Sequence, residues 1–237
     1  MDRTGWLTVL GLAPHEVPEL LVLEGTWWRQ RALDTRLPYL RDARETGMPD
    51  LWVGRVDGVP VGYCPAYGAP RAVEPVHVLA LCGTRTVVQI GSCGALAPHV
   101  RTGDVVVSDR ATIGEGASAH YGGVGSSYPT AELVQRAAAA FGDLPVHVGP
   151  TVSTDALLRQ PDELVQRWRQ QGHLGVDLET SAVLSAAAAF GLRSLSLLFA
   201  WDELPGRSWT DAFTLAEQRA QAAANAATFR VALAMLA

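Results

Sequence analysis

The chain contains no lysine; all 19 positions in its Lys/Arg count are arginine. That bias carries no functional reading, and the arginines nowhere form a run. With 24 acidic residues the formal net charge is −5, which argues against a nucleic-acid surface, normally basic. No apolar run reaches the ~18 residues needed to span a bilayer. The opening residues Met1-Asp2-Arg3-Thr4-Gly5-Trp6 lack the charged-then-apolar layout of a secretory signal. The three cysteines, Cys64, Cys82 and Cys93, are too few and too widely spaced for a disulfide framework or a zinc site. The expectation is a cytoplasmic protein without metal. No histidine lies near Cys93 in sequence, so it reads as a small buried thiol rather than a nucleophile. Internal repeats, linkers and low-complexity tails are absent too.

What is present is a chain of 237 residues, 48% hydrophobic, enough for one large α/β domain over residues 1–237. Residues 7–12 and 20–23 read as short strands around Pro14 and Pro18. A glycine turn at Gly25 then enters a helix through Leu33. Two β-rich runs, 51–56 and 59–63, flank Asp57-Gly58 and predict a hairpin. Residues 72–81 predict a helix that Gly83 ends. A strand over 104–108 precedes a stretch at 110–130, rich in Gly, Ser and Ala, that reads as a long irregular loop of functional interest. Beyond it, helices over 131–141, 161–171, 182–190 and 209–237 alternate with strands over 146–152, 174–178 and 194–200. This alternation predicts a mixed sheet with helices on both faces.

The centre of the chain is Val87-Val88-Gln89-Ile90-Gly91-Ser92-Cys93-Gly94. An apolar β-branched run meets two glycines within four residues. This is the pattern of a buried strand emptying into a tight loop, whose N–H groups form an anion nest. The alternative is a plain strand–turn built of small residues. Polar groups follow apolar strands at three more places: Gly25/Arg29, Asp177/Glu179 and Asp202. A shared sheet would bring them to one rim. Asp202 ends the run Leu195-Ser196-Leu197-Leu198-Phe199-Ala200-Trp201. It is either a general acid at the mouth of a hydrophobic strand or a loop acid. Glu179, at a strand-to-helix junction, is either a ligand contact or a charge placed at a helix N-terminus. His120, in the 110–130 loop, reads first as solvated.

Four segments together carry a resemblance. They are Gly91-Ser92-Cys93-Gly94-Ala95 followed by Gly103-Asp104-Val105-Val106; Glu115-Gly116-Ala117-Ser118-Ala119-His120-Tyr121; Val176-Asp177-Leu178-Glu179-Thr180-Ser181-Ala182; and Ala200-Trp201-Asp202. In this order they resemble the nucleoside phosphorylase family that holds hexameric bacterial purine nucleoside phosphorylases and uridine phosphorylases. The resemblance covers roughly residues 8–235. It implies a three-layer α/β/α sandwich with a central mixed, partly barrel-like β-sheet. It implies phosphorolysis of a nucleoside through an oxocarbenium-like transition state, giving free base and ribose 1-phosphate. On this resemblance Gly25, Arg29 and Ser92 contact phosphate, and Arg44 reaches it from the neighbouring subunit. Glu179 grips the ribose with Leu178 packed beneath. Val152, Gly94 and Asp202 surround the base, and Asp202 protonates a purine. The implied partners are a nucleoside and phosphate as co-substrate, with no other cofactor, no nucleic acid and no membrane. The implied assembly is a homodimer or a hexamer built as a trimer of dimers.

The departures are specific. Gln89 stands where the family has a phosphate arginine, and carries neither charge nor bidentate fork. Thr26-Trp27 replaces the family's Asp-Pro before Arg29. Pro161 and Glu163 stand where the uridine enzymes read the base, which directs the reading to a purine. Val152 takes the place of a base-stacking aromatic residue. Val9 falls near the place of a histidine that binds the sugar 5′ end. Three readings stay open: a phosphorylase, a nucleosidase in which water replaces phosphate, and a nucleoside-binding protein without turnover.

Overall fold

The computed structural model describes residues 1–204, 206–208 and 210–236. The elements run α1 (Arg3–Leu10), β1 (Leu20–Gly25), α2 (Arg29–Arg36), β2 (Arg41–Glu45), β3 (Trp52–Val56), β4 (Val59–Pro65) and α3 (Ala69–Cys82). They continue with β5 (Thr86–Ala95), β6 (Val105–Gly114), β7 (Ser126–Ser127), α4 (Ala131–Ala138), β8 (Val146–Thr154), α5 (Asp162–Gln170), β9 (Gly175–Asp177), α6 (Thr180–Ala189), β10 (Arg193–Glu203) and α7 (Leu215–Leu233).

The described strands join one mixed sheet in the order β10-β6-β8-β9-β5-β1-β4-β3-β2, with β7 beside β6. Strand β10 also pairs with β5. That extra pairing closes β5, β9, β8, β6 and β10 into a five-stranded barrel, and β1, β4, β3 and β2 extend from β5 as an open wing. The period of two along each strand then sorts the side chains. In β1, Leu20 and Val22 pack on one face with Leu33 of α2, Leu133 of α4 and Phe229 of α7. Leu21 and Leu23 pack on the other with Leu10 of α1, Leu79 of α3 and Ala186 of α6. The result is the expected three-layer α/β/α sandwich with a partly closed mixed sheet.

The hairpin is the clearest match between local signal and structure. Val56 pairs with Val59 across a two-residue turn, and Asp57 and Gly58 both take positive φ (48° and 83°). Asp-Gly suits such a turn because its backbone twist matches that of the strands.

Four expectations need correction. Residues 7–12 are not a strand. The side chain of Asp2 caps α1 by accepting from the Gly5 N–H at 2.9 Å, and Gly11 closes it in the left-handed conformation at φ 65°. The stretch Gly91-Ser92-Cys93-Gly94 is not a tight loop. It is the continuation of β5, with Gly91 paired to Gly25 and Leu198, and Gly94 to Val176 and Asp202. Here β1, β9 and β10 all crowd one strand, and small residues mark a close approach of backbones. The 110–130 stretch is largely ordered: β6 runs on to Gly114, a 3-10 turn covers Ala117–Tyr121, and β7 pairs back on β6. The C-terminal helix starts at Leu215, set by a capping box between Thr214 and Glu217. The expected ends of that helix, Trp209 and Ala237, lie outside the described residues. Strand β2 had no clear signal, four of its five residues being charged.

Below the wing lies a buried ion pair. Arg36 donates from Nε and Nη2 to the two oxygens of Glu24 at 2.9 and 3.0 Å, Tyr63 donates to Glu24 at 2.7 Å, and Arg36 also donates to Asn225 Oδ1 at 2.5 Å. The guanidinium lies 4.9 Å from the Phe229 ring centroid. This cluster ties α2, β1, β4 and α7 together. Arg36→Met, which strands the Glu24 carboxylate in the core, is expected to cost about 3–5 kcal/mol in urea unfolding; a loss under about 1 kcal/mol would show that the pair holds nothing together.

Candidate active site

Strand ends of the wing and the barrel meet at one rim. Gly25 ends β1 and lies beside Gly91 of β5, and Gly94 of β5 lies beside Asp202 of β10. The register of β10 against β5 shifts between Ala200 and Asp202, a bulge at Trp201 that re-aims the strand end. Asp202 is 5% exposed. A Cβ built on Gly94 would stand 3.2 Å from Asp202 Oδ1 and 2.7 Å from the Leu204 side chain, which would have to shift. A Cβ on Gly25 would collide with the Glu179 carboxylate. Gly25 therefore lets Glu179 lie directly against the end of β1.

Glu179 stands at the N-terminus of α6 and accepts from the Gly68 N–H at 2.7 Å. Its neighbour Asp177 is fully surrounded by donors. It accepts from the Ser153 hydroxyl (2.6 Å), the Thr180 hydroxyl (2.6 Å), the Thr180 N–H (2.8 Å) and the Glu179 N–H (3.2 Å). Burial pushes the Glu179 carboxyl up to about 8, and the charge of Asp177 adds to the shift. Burial also raises Asp177, against the opposing pull of its hydrogen bonds. At neutral pH Glu179 is thus a protonated acid that can donate as well as accept.

A hollow of about 330 Å³ opens beside this point, lined by Tyr67, Gly68, Ala69, Thr154, Asp155 and Leu178, among others. Asp155 accepts from the Gly116 N–H at 3.0 Å, which ties the loop after β8 to the segment after β6. Burial, and then the charge of Glu179, raise the Tyr67 phenol to about 12, so it stays protonated. A larger hollow of about 570 Å³ lies outside α2, lined by Arg29, Asp34 and Trp52 among others. Its lining holds no residue bonded or adjacent in sequence to Glu179 or Asp202, whereas the smaller hollow holds Leu178 and Gly68, whose N–H donates to Glu179.

The structure thus brings together Gly25, Gly94, Leu178, Glu179 and Asp202 of the expected set, with Ser92 as the one exposed residue of β5. Other expected residues stand elsewhere. Gln89 is fully buried beneath the strand; its carboxamide oxygen accepts from the hydroxyls of Ser196 and Thr180, and its nitrogen donates to Ile90 O at 3.2 Å. Arg29 pairs with Asp50 at the surface. Arg44 lies on the edge strand β2, bonded to Glu16 Oε1 and Gly11 O, both at 3.0 Å. Val152 is buried with Leu96, Val176 and Trp168. Val9 is an exposed residue of α1, and His120 is exposed on the 3-10 turn. Burial raises the Cys93 thiol well above its ordinary value, in keeping with packing rather than nucleophilic chemistry.

Sequence reasoning missed Tyr67, Gly68 and the buried part of Glu115. Gly68 precedes Pro70 at the start of α3, a local sign of a helix N-terminus with free N–H groups. Glu115 accepts from the Ser181 hydroxyl at 2.8 Å, the Ala117 N–H at 2.6 Å and the Ser118 N–H at 3.1 Å. Through Ser181 it holds the first turn of α6, next to the Thr180 that Asp177 holds. Among the described residues no group of three or more His, Cys, Asp or Glu side chains is arranged to hold a metal ion, and no helix is long and apolar enough to cross a membrane.

Comparison with known proteins follows the same residues. The model of the phosphorylase superfamily matches residues 42–236. A guanosine phosphorylase of Halorubrum lacusprofundi is 36% identical over 146 residues, 58% of this chain and 59% of that protein. A uridine phosphorylase of Haemophilus influenzae is 30% identical over 164 residues, 60% of this chain and 64% of that protein. The matched part therefore spans less than two thirds of either relative. In structure, a uridine phosphorylase of Vibrio fischeri superposes with a TM-score of 0.79 at 22% identity, over 94% of this chain and 92% of that one, which is a likeness of fold.

The raised Glu179 carboxyl has a consequence for stability. Below its ordinary value of 4.5 the group is protonated in both folded and unfolded chains. As the pH rises toward 8 the unfolded chain ionises while the folded one does not, so stability is lost across that window and levels off above it. Glu179→Gln removes this titration. Its stability relative to the parent is expected to rise by on the order of 4 kcal/mol between pH 4.5 and 8. Parallel urea-unfolding curves for the two proteins across this range would contradict a buried neutral Glu179.

Proposed function

The chain belongs to the phosphorylase superfamily, and on that premise we propose that it cleaves the N-glycosidic bond of a purine nucleoside with phosphate, giving free base and ribose 1-phosphate. The observation that carries this reading is the placement of two buried carboxylates, Glu179 and Asp202, on either side of the glycine row Gly25, Gly91 and Gly94. Asp202, beside Gly94, is the group to protonate the purine at N7 as the bond to the sugar breaks. Glu179, with Leu178 beside it, holds the sugar hydroxyls. Its proton lets it donate to one hydroxyl in the ground state, and loss of that proton would favour positive charge developing on the sugar. The exposed Ser92 hydroxyl offers phosphate a contact at the rim.

The names of the relatives support nucleoside phosphorolysis and divide over the base, since guanosine, uridine and purine nucleoside phosphorylases all occur among them. The purine is favoured here by Pro161 and Glu163. Pro161 caps α5 and Glu163 lies exposed in its first turn, so neither presents an amide or a guanidinium to a uracil. The proposed partners are a nucleoside and phosphate, with no further cofactor, and the proposed place is the cytoplasm. A homodimer or a trimer of dimers is the proposed assembly. Arg44 on the edge strand β2 would then serve a second copy's site.

One observation favours a second reading. The family's phosphate arginine is replaced by Gln89, whose amide is committed to Ser196, Thr180 and Ile90. With that charge gone, water rather than phosphate is the nucleophile of a nucleosidase. Base release from a panel of nucleosides, with and without phosphate, separates the two. The first reading expects phosphate-dependent release and ribose 1-phosphate; equal release without phosphate, with free ribose as product, moves the assignment to the second. Under either reading Asp202→Asn is expected to lower purine release about 10²–10⁴-fold with the fold intact by circular dichroism.

A further inference from the structure

Two histidines meet away from Glu179 and Asp202 and line neither hollow. His147 is the second residue of β8 and lies beside Val106 of β6. His99 is exposed in the turn after β5. Their ring centroids are 5.3 Å apart, and the rings are inclined by 60°. The expectation of no zinc site rested on cysteine spacing. These histidines come together only because β6 pairs with β8 on one side and with β10 on the other.

Behind His147 sits a carboxylate. Asp104 Oδ2 lies 2.8 Å from His147 Nε2, and the same oxygen accepts from the Arg101 N–H at 2.9 Å. A carboxylate only accepts, so this bond puts the proton of a neutral His147 on Nε2 and leaves the lone pair on Nδ1. A carboxylate so placed fixes the ring and the tautomer of an imidazole that ligates a metal, and raises its basicity. Asp104 is itself held in place: its carbonyl accepts from the Ala200 N–H at 2.8 Å, and the Gly103 N–H donates to Ala200 O at 2.8 Å.

The spacing of the rings selects the ion. A zinc–nitrogen bond is about 2.0–2.1 Å, and an imidazole centre lies about 1.2 Å beyond its nitrogen. Two imidazoles on one ion at the tetrahedral angle then have their centres about 5.3 Å apart. At the right angle of an octahedral ion the separation is about 4.6 Å. The observed spacing is the tetrahedral one. His99, at the surface, turns its ring about χ2 at little cost to bring a nitrogen into line. The Asp104 oxygen is engaged with His147, so the protein supplies two nitrogens rather than three ligands, consistent with the lack of any three-ligand group among the described residues. Water in the remaining positions makes the ion exchangeable, unlike a structural zinc with four protein ligands.

We propose that His99 and His147 form an exchangeable site for a divalent transition-metal ion of tetrahedral preference, zinc or cobalt(II), with Asp104 as the residue that orients His147. The site does not depend on the cleavage reading. Magnesium and calcium, which take oxygen ligands, are not its occupants.

The test is calorimetric titration of the full chain, first dialysed against a chelator, with zinc chloride. One zinc per chain is expected, undisturbed by excess magnesium. His99→Ala and His147→Ala should each weaken binding at least tenfold, and Asp104→Asn about 10–100-fold. His120→Ala, at another exposed histidine, should leave it unchanged. Cobalt(II) should give the intense visible bands of a tetrahedral ion with the parent and lose them with His99→Ala. Nitrogen NMR of the His147 ring should place its proton on Nε2 in the parent and show mixed tautomers in Asp104→Asn. Absence of saturable zinc binding up to about 1 mM overturns the site, as does undiminished affinity in either histidine variant. Unchanged affinity and tautomer in Asp104→Asn overturn its orienting role. Should His147→Ala fail to fold, the surface variant His99→Ala decides by the same criteria.

Discussion

The site depends on one buried carboxylate that has no part in the proposed chemistry. Asp177 ends β9 inside the barrel, where an isolated charge would be costly. Four donors meet it: the Ser153 hydroxyl of β8, and the Thr180 hydroxyl and two N–H groups of the first turn of α6. The carboxylate therefore joins two barrel strands to a helix N-terminus and supplies the negative charge which that end of the helix favours. The network runs further. Thr180 also bonds Gln89 of β5 and Ser196 of β10, and the Ser181 N–H donates to Ser153 at 2.9 Å. Closure of the barrel and placement of α6 are one arrangement of hydrogen bonds.

Glu179 owes its setting to this node. It follows Asp177 by two residues, so the same turn that satisfies Asp177 carries Glu179 to the rim, against Gly25 and under the Gly68 N–H. Two carboxyls this close in a dry place do not both ionise readily. Asp177 holds four hydrogen bonds and Glu179 fewer, from the Gly68 and Leu178 backbone, so the proton is best placed on Glu179. Another buried carboxylate of the sheet, Glu24, has the opposite solution: Arg36 neutralises it, and it serves the fold alone. The two treatments separate structural charge from chemical charge within one sheet.

Gln89 makes sense in the same terms. In a strand whose neighbours are Ser196 and Thr180, a neutral amide can accept from two hydroxyls and donate to a carbonyl without bringing charge into the barrel. An arginine at this place would bring a charge that the present partners do not neutralise. The change from charge to amide thus fits the interior around it. It also shifts the burden of holding an anion to groups at the rim and, in an assembly, to a second copy.

Much of the fold was legible in the residues. The Asp57-Gly58 hairpin, Gly83 as a helix end, and the alternation of strands and helices after residue 130 follow from local conformational preference and from the period of apolar positions. The polar residues that close apolar runs, Glu179 and Asp202, were visible for the same reason, and the order of four short segments was enough to indicate the family. What local pattern left open was decided by contacts between distant segments. Gly91-Ser92-Cys93-Gly94 reads as a turn because its glycines permit one. It is a strand because β1, β9 and β10 all pair with it there. Tyr67 carries no chemical signature in sequence and Gly68 only that of a helix start, and both join the site because β4 ends beside β1. Arg29, Arg44 and Gln89 have the right types or positions for phosphate, but Asp50, Glu16 and the barrel interior are what they meet within one chain. The sequence alone determined which elements form and which acids sit at their ends; the tertiary structure decided which of those ends face each other, because barrel closure joins residues that no local preference relates.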